Sequence, residues 1–161
     1  MVKEQLAILP ENAEYENERN KPLPSLNHSL VQTRIILGLS QYQNIYNIAS
    51  ELSLQLDDWV SVPDISLLPK APIDTQHNQI RVKEPPLCVI EILSPTQSLS
   101  DLTAKVSTYF EQGVKSCWLV LPGLDNIYVF EAPHQYEMYK KGETLKDKKL
   151  EITINVSPIF E

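Results

Sequence analysis

Two carboxylates stand where chemistry is to be expected: Asp64, in Val62-Pro63-Asp64-Ile65, and Glu91, in Leu87-Cys88-Val89-Ile90-Glu91-Ile92-Leu93. An acid inside a run of strand-forming apolar residues loses its hydration, and a paired cation or a bound metal is the usual compensation. Two acids at the ends of neighbouring strands make a hard-oxygen site suited to magnesium. Further on, Asp101 and Lys105 are four residues apart, one above the other on a helix. Lys105 borders the apolar stripe Leu102, Val106 and Tyr109. It is expected to reach back toward the C-terminal end of the Glu91 strand, where open α/β sheets place ligands. Each residue also has a plain structural reading. Asp64 fits a strand-opening turn, Glu91 an acid satisfied by one buried lysine, Asp101 an N-terminal helix acid, and Lys105 a solvated helix lysine. In order they describe acid, acid and lysine around a strand-loop-helix turn.

The elements that must position these groups follow from periodicity. Residues 1–12 carry little pattern, and Tyr15 through Pro24 is polar and closed by prolines. From Leu26 the apolar residues Leu30, Val31, Ile35, Ile36 and Leu39 recur at helical spacing, with Ser25 or Asn27 as N-cap. Ile45–Leu56 alternates and reads as a strand; Trp59–Leu68 reads as a second, interrupted at Pro63; 69–86 reads as a long loop. Leu87–Leu93 has the near-continuous apolar character of a strand covered on both faces, with Val89, Glu91 and Leu93 on one face. Ser98 followed by Asp101 fits a capping box, and the helix it opens stops at Gly113. Val114–Leu121 and Ile127–Glu131 are strands, Tyr136–Tyr139 is one arm of a hairpin turned near Gly142, and Glu151–Val156 is expected to end the sheet. Strand-helix-strand over 87–121 implies a parallel crossover, and the later strands an antiparallel extension. The fold class is α/β: one domain over 13–161, a mixed central β-sheet flanked by helices, after a loose segment 1–12.

The 161 residues are enough for one sizeable core, and no apolar stretch is long enough to span a membrane. Met1–Gln5 lacks the architecture of a secretory signal. Cys88 and Cys117 both lie in apolar runs and read as core thiols of a reducing cytoplasm, and the three histidines have no metal-ligand spacing. A net charge of −7 argues against a broad phosphate-binding surface, although five lysines within 139–150 leave room for a local basic edge. That lysine cluster otherwise reads as a solvated edge hairpin.

With these residues in view the chain resembles the Uma-type restriction endonuclease family, a branch of the PD-(D/E)XK nuclease superfamily. The likeness rests on Val62-Pro63-Asp64-Ile65, on Pro85 through Pro95 with its Glu91-Ile92-Leu93-Ser94-Pro95, on Asp101-x3-Lys105-x3-Tyr109, on Gly113 through Val120, and on Asn27-His28 leading into a helix. It covers roughly residues 14–158. The resemblance implies a restriction-endonuclease-like core of four or five strands, a divalent-metal site and hydrolysis of DNA phosphodiester bonds. By position, Asp64 and Glu91 would hold Mg2+ (or Mn2+), with a strand carbonyl such as that of Ile92 completing the shell. The superfamily's usual lysine, two residues after the second acid, is replaced by Leu93, and the family's lysine maps onto Lys105, which would orient or deprotonate the attacking water. His28 reads as a surface or capping histidine, with phosphate contact as the functional alternative.

The function expected is therefore a metal-dependent endodeoxyribonuclease with catalytic Asp64, Glu91 and Lys105. The alternative is a nuclease-like fold kept as a non-catalytic binding or oligomerisation module, which the acidic balance favours. A hydrolase of other phosphoesters shares the site without the DNA groove. Double-strand cutting needs two sites, so a homodimer is expected, with Trp59, Tyr42 and Tyr46 as the apolar contact.

Overall fold

The structure, a computed structural model, describes residues 21–161. The expectations for residues 1–12, and for most of the polar stretch from Tyr15, lie outside them. Among the described residues the first helix, α1, spans Leu26–Leu39, and Ser25 caps it by accepting the His28 N–H at 3.1 Å. Strands β1 (Tyr46–Ser50), β2 (Leu54–Leu56), β3 (Trp59–Ser61), β4 (Ile65–Pro69) and β5 (Cys88–Ile92) follow. Helix α2 (Leu99–Glu111) then leads to β6 (Ser116–Leu121), β7 (Asn126–Ala132) and β8 (Gln135–Lys140). A short ladder, β9 (Thr144–Asp147) with β10 (Ile152–Asn155), and a terminal turn of helix, α3 (Ser157–Phe160), complete the chain.

Among the described residues six strands form the central sheet, in the order β1-β4-β5-β6-β7-β8. Only the β5–β6 pair among them is parallel, joined through α2 as the strand-helix-strand pattern predicts. The sheet exceeds the four or five strands implied by the family likeness. Strand alternation sends Cys88, Ile90, Ile92 and Trp118 to one face, against Val31, Ile35 and Leu39 of α1 and the apolar side of β9–β10. Val89, Cys117 and Leu119 face the other way, onto Leu102, Val106 and Tyr109 of α2 and the β2–β3 hairpin. Both cysteines are buried and free.

Several expectations are corrected. The single strand expected over Ile45–Leu56 is two, because the chain turns at Glu51 with φ at +55° and the second piece pairs with β3 instead of the main sheet. The arm Tyr136–Tyr139 does pair, but with β7, and the turn at Gly142 leads into the separate β9–β10 ladder. The last strand therefore closes that ladder and not the sheet. All five lysines of the 139–150 cluster are exposed. Trp59 packs edge-on against Tyr109 at 4.8 Å, whereas Tyr42 and Tyr46 pack on the opposite face of the sheet, so the three do not make one contact patch. Gly113, at φ +100°, ends α2 where a Cβ would meet the Pro85 ring at 3.3 Å. Among the described residues no helix is long and apolar enough to cross a membrane.

Candidate active site

The site is built at the end of β4. Ile65 pairs with Ile90 on one side and Ser50 on the other. Continuing both antiparallel registers by one residue brings Glu51, Asp64 and Glu91 level across three strands. The Glu51 N–H donates to the Asp64 carbonyl at 3.1 Å, which fixes this row. Pro63 has no N–H to extend the ladder. Beyond it the Asp64 side chain takes over, its Oδ2 accepting the Ile92 N–H at 2.7 Å.

Asp64 is almost wholly buried, and its Oδ1 meets two basic groups: Lys21 Nζ at 2.5 Å and His28 Nε2 at 3.1 Å. Burial pushes its carboxyl pKa up, but the His28 hydrogen bond and the Lys21 charge outweigh that and hold it below its ordinary value. Lys21 is itself buried, and its three donors reach Asp64, the Val62 carbonyl at 3.1 Å and Glu51 Oε2 at 3.2 Å. Gln32, one turn along α1 from His28, bonds both Glu51 and the Asp64 carbonyl.

Glu91 sits in an all-buried strand, 2% exposed. Its Oε1 accepts the Tyr109 hydroxyl at 2.8 Å, so the Ser61 hydroxyl, 2.6 Å from the same phenol oxygen, must be the donor in that second bond. Burial and then the Asp64 charge raise the Glu91 carboxyl above its ordinary value, against the charges of Lys105 and Lys21 and the Tyr109 bond. Burial, with Glu91 beside it, pushes the Tyr109 hydroxyl well up in turn. Two adjacent carboxyls are thus displaced in opposite directions, which is how paired acids are given different roles.

Lys105 is half-buried on α2 and lines, with Lys21, Thr96, Gln97 and Asp101, an open cleft of about 600 Å³. It is close enough for its charge to act on Glu91. Asp101 is exposed, its backbone N–H held by Ser98 Oγ at 3.1 Å, as a first-turn helix acid should be. Ile92 contributes its N–H to Asp64, and its side chain is fully buried.

Against known families, the chain matches the one described as "Uma2: Putative restriction endonuclease" over residues 5–157. The chain belongs to the Uma2 family. No curated protein matches it. Among solved structures it is similar to the crystal structure described as a putative nuclease belonging to DUF820 from Anabaena variabilis ATCC 29413. The TM-score is 0.75 at 22% identity, over 86% of this chain and 83% of that one. This likeness is one of fold: a mixed central sheet with helices in a single domain.

For the divalent ion that the Uma2 likeness implies, the donor chemistry is the test. Among the described residues no three His, Cys, Asp or Glu side chains converge as a metal-binding group. A carboxylate offers about four lone-pair sites. On Asp64, Lys21, His28 and the Ile92 N–H account for three, leaving one on Oδ2. That position and Glu91 form a two-carboxylate donor set, which fits magnesium, an ion that keeps several waters and binds through one or two carboxylates.

Two members of the site, Lys21 and Glu51, were not singled out in the sequence, and His28 was read for a different place. His28 is 2% exposed and faces Asp64, neither a surface nor a capping residue. Its signal was present: it lies three, seven and eleven residues before Val31, Ile35 and Leu39, on the buried stripe of α1. Lys21 and Glu51 carry no such mark. They reach the site by tertiary folding alone, 43 and 13 residues from Asp64 in sequence.

Proposed function

We infer that this Uma2 protein is a metal-dependent endodeoxyribonuclease in which Asp64 and Glu91 hold a magnesium or manganese ion, with the Ile92 carbonyl as a further oxygen. The observation that carries this reading is the pair of buried carboxyls, Asp64 and Glu91, brought level on neighbouring strands with one Asp64 lone pair left over. Two acids so placed repel each other, and a divalent cation relieves both. The family description supports nucleic acid as the substrate class.

When bound, such an ion supplies Lewis acidity and makes water a usable nucleophile near neutral pH. The protein's own groups do the rest. Asp64 Oδ2 is aimed by the Ile92 N–H, and Glu91 by Tyr109, whose phenol is itself fixed by Ser61. The Lys105 ammonium faces the cleft, where it orients the attacking water and meets charge developing on the phosphoryl oxygens. Incubation of the purified protein with supercoiled plasmid and Mn2+ is the direct test. Nicked or linear product is expected from wild type, none from Asp64→Asn or Glu91→Gln, and a loss of about 100-fold from Lys105→Met. Equal cutting by all four proteins would overturn the assignment.

Cutting both strands takes two copies of such a site, so a homodimer is part of this reading, and a monomeric mass by light scattering with DNA present removes it. A second reading, a non-catalytic nuclease-fold binding module, is favoured by the net charge of −7 and by the occupation of Asp64 by Lys21 and His28. Retention of plasmid without cleavage under every metal condition would select it.

A further inference from the structure

Lys21 is the one buried lysine among the described residues, and its surroundings are those of a cation site in miniature. Its ammonium touches a carboxylate oxygen of Asp64, a carboxylate oxygen of Glu51 and the Val62 carbonyl, all within 3.2 Å. These are hard oxygen donors of the type that divalent ions select. Asp64 is common to both sides: Oδ1 turns to Lys21, while Oδ2 keeps the lone pair left for the ion shared with Glu91. Phosphoryl-transfer sites that use two ions place them a few ångströms apart across such a bridging carboxylate.

We propose that Lys21 is the built-in second cation of this site, a positioning residue that stands where a second divalent ion would sit and so limits the protein to one ion per chain. It holds Asp64 as an anion, fixes the rotation of its carboxylate and supplies the positive charge that a second ion would bring. The proposal rests on Asp64 and Glu91 as metal-holding residues. It goes beyond that reading in assigning Lys21, Glu51 and the Val62 carbonyl.

Manganese binding reads the ion count without reference to activity. Titration of the full chain with Mn2+, followed by electron paramagnetic resonance of the free ion, is expected to give one ion per wild-type chain and two per Lys21→Met chain. Lys21→Arg restores the count of one, because it restores the charge. Lys21→Met combined with Glu51→Gln loses the second ion and keeps the first. Lys21→Gln, which keeps a polar side chain at the same place, is expected to match Lys21→Met and serves if the methionine variant does not fold, as judged by circular dichroism. A merely structural lysine would lower the count or leave it unchanged. One ion in wild type with one or none in folded Lys21→Met and Lys21→Gln overturns the proposal while leaving the metal reading intact. No ion bound by wild type overturns the metal reading itself, and this proposal with it.

Discussion

Asp147 and Asp64 are equally sequestered, 2% and 1% exposed, yet they are stabilised by different means. Asp147 ends β9 and is satisfied entirely by neutral donors: Ser116 Oγ at 2.5 Å, Trp118 Nε1 at 2.8 Å, and the N–H groups of Lys149 and Leu150 at 3.1 and 3.2 Å. The Ser116 and Trp118 contacts pin the β9–β10 ladder to β6, and the two backbone N–H contacts close the turn that follows β9. At Asp64 two of the partners are basic side chains, a second carboxyl lies alongside, and one lone pair is left over. Burial of an acid is therefore no sign of chemistry by itself. The sign is an acid whose compensation is ionic, incomplete and shared with another acid.

The contrast is broken most forcefully by exchanging the fates of the two residues. Asp64→Asn is expected to reduce plasmid cleavage to background with the fold intact by circular dichroism. Asp147→Ala is expected to leave the cleavage chemistry in place but to strip four donors of their acceptor. The cost is about 3 kcal/mol, read as a fall in Tm of roughly 6–12 °C. If Asp147→Ala abolished cutting at a temperature where it is folded, the division between the two regions would fail.

Titration sharpens the comparison on the active side. Glu91 has a folded pKa raised above its unfolded value near 4.5, so the folded state binds the proton more tightly and stability falls as pH rises through that window. Asp64 has a folded pKa lowered below about 3.8; its contribution is present above the unfolded value and is lost as pH falls through the lowered one. Metal-free thermal melts are expected to show the downward slope above pH 4.5 in wild type and to lose it in Glu91→Gln. An unchanged slope would place the perturbed proton elsewhere. The smallest effect is expected at Tyr109→Phe, which removes one hydroxyl from Glu91 and orphans Ser61. A drop of about tenfold in cleavage, close to 1.4 kcal/mol, is expected in single-turnover assays.

The sequence made some of this legible and hid the rest for physical reasons. β5 and β6 announced themselves as unbroken apolar runs because both of their faces are covered, and α2 was bounded by Ser98 and Gly113. Asp64 and Glu91 stood out because acids in such places are costly. The late strands were misassigned because a turn signal at Gly142 reports a reversal of direction and not which strand will be paired. Lys21, Glu51 and Asp147 escaped notice because nothing local distinguishes a lysine or acid that will be buried from one that will be hydrated. Their placement is a property of the closed fold.

The turn at Glu51 has one more implication. A residue with a side chain is uncomfortable at φ +55°, by roughly 1 kcal/mol, and glycine would sit there without complaint. Replacing it would relax the turn between β1 and β2 and would also delete both carboxylate oxygens that bond Lys21 and Gln32 in the row beside Asp64. A variant with glycine at this position would gain that backbone comfort and lose the carboxylate that pairs with buried Lys21 and bonds Gln32, so no gain in heat resistance is expected: the bend tolerates its strain for the sake of the side chain it aims.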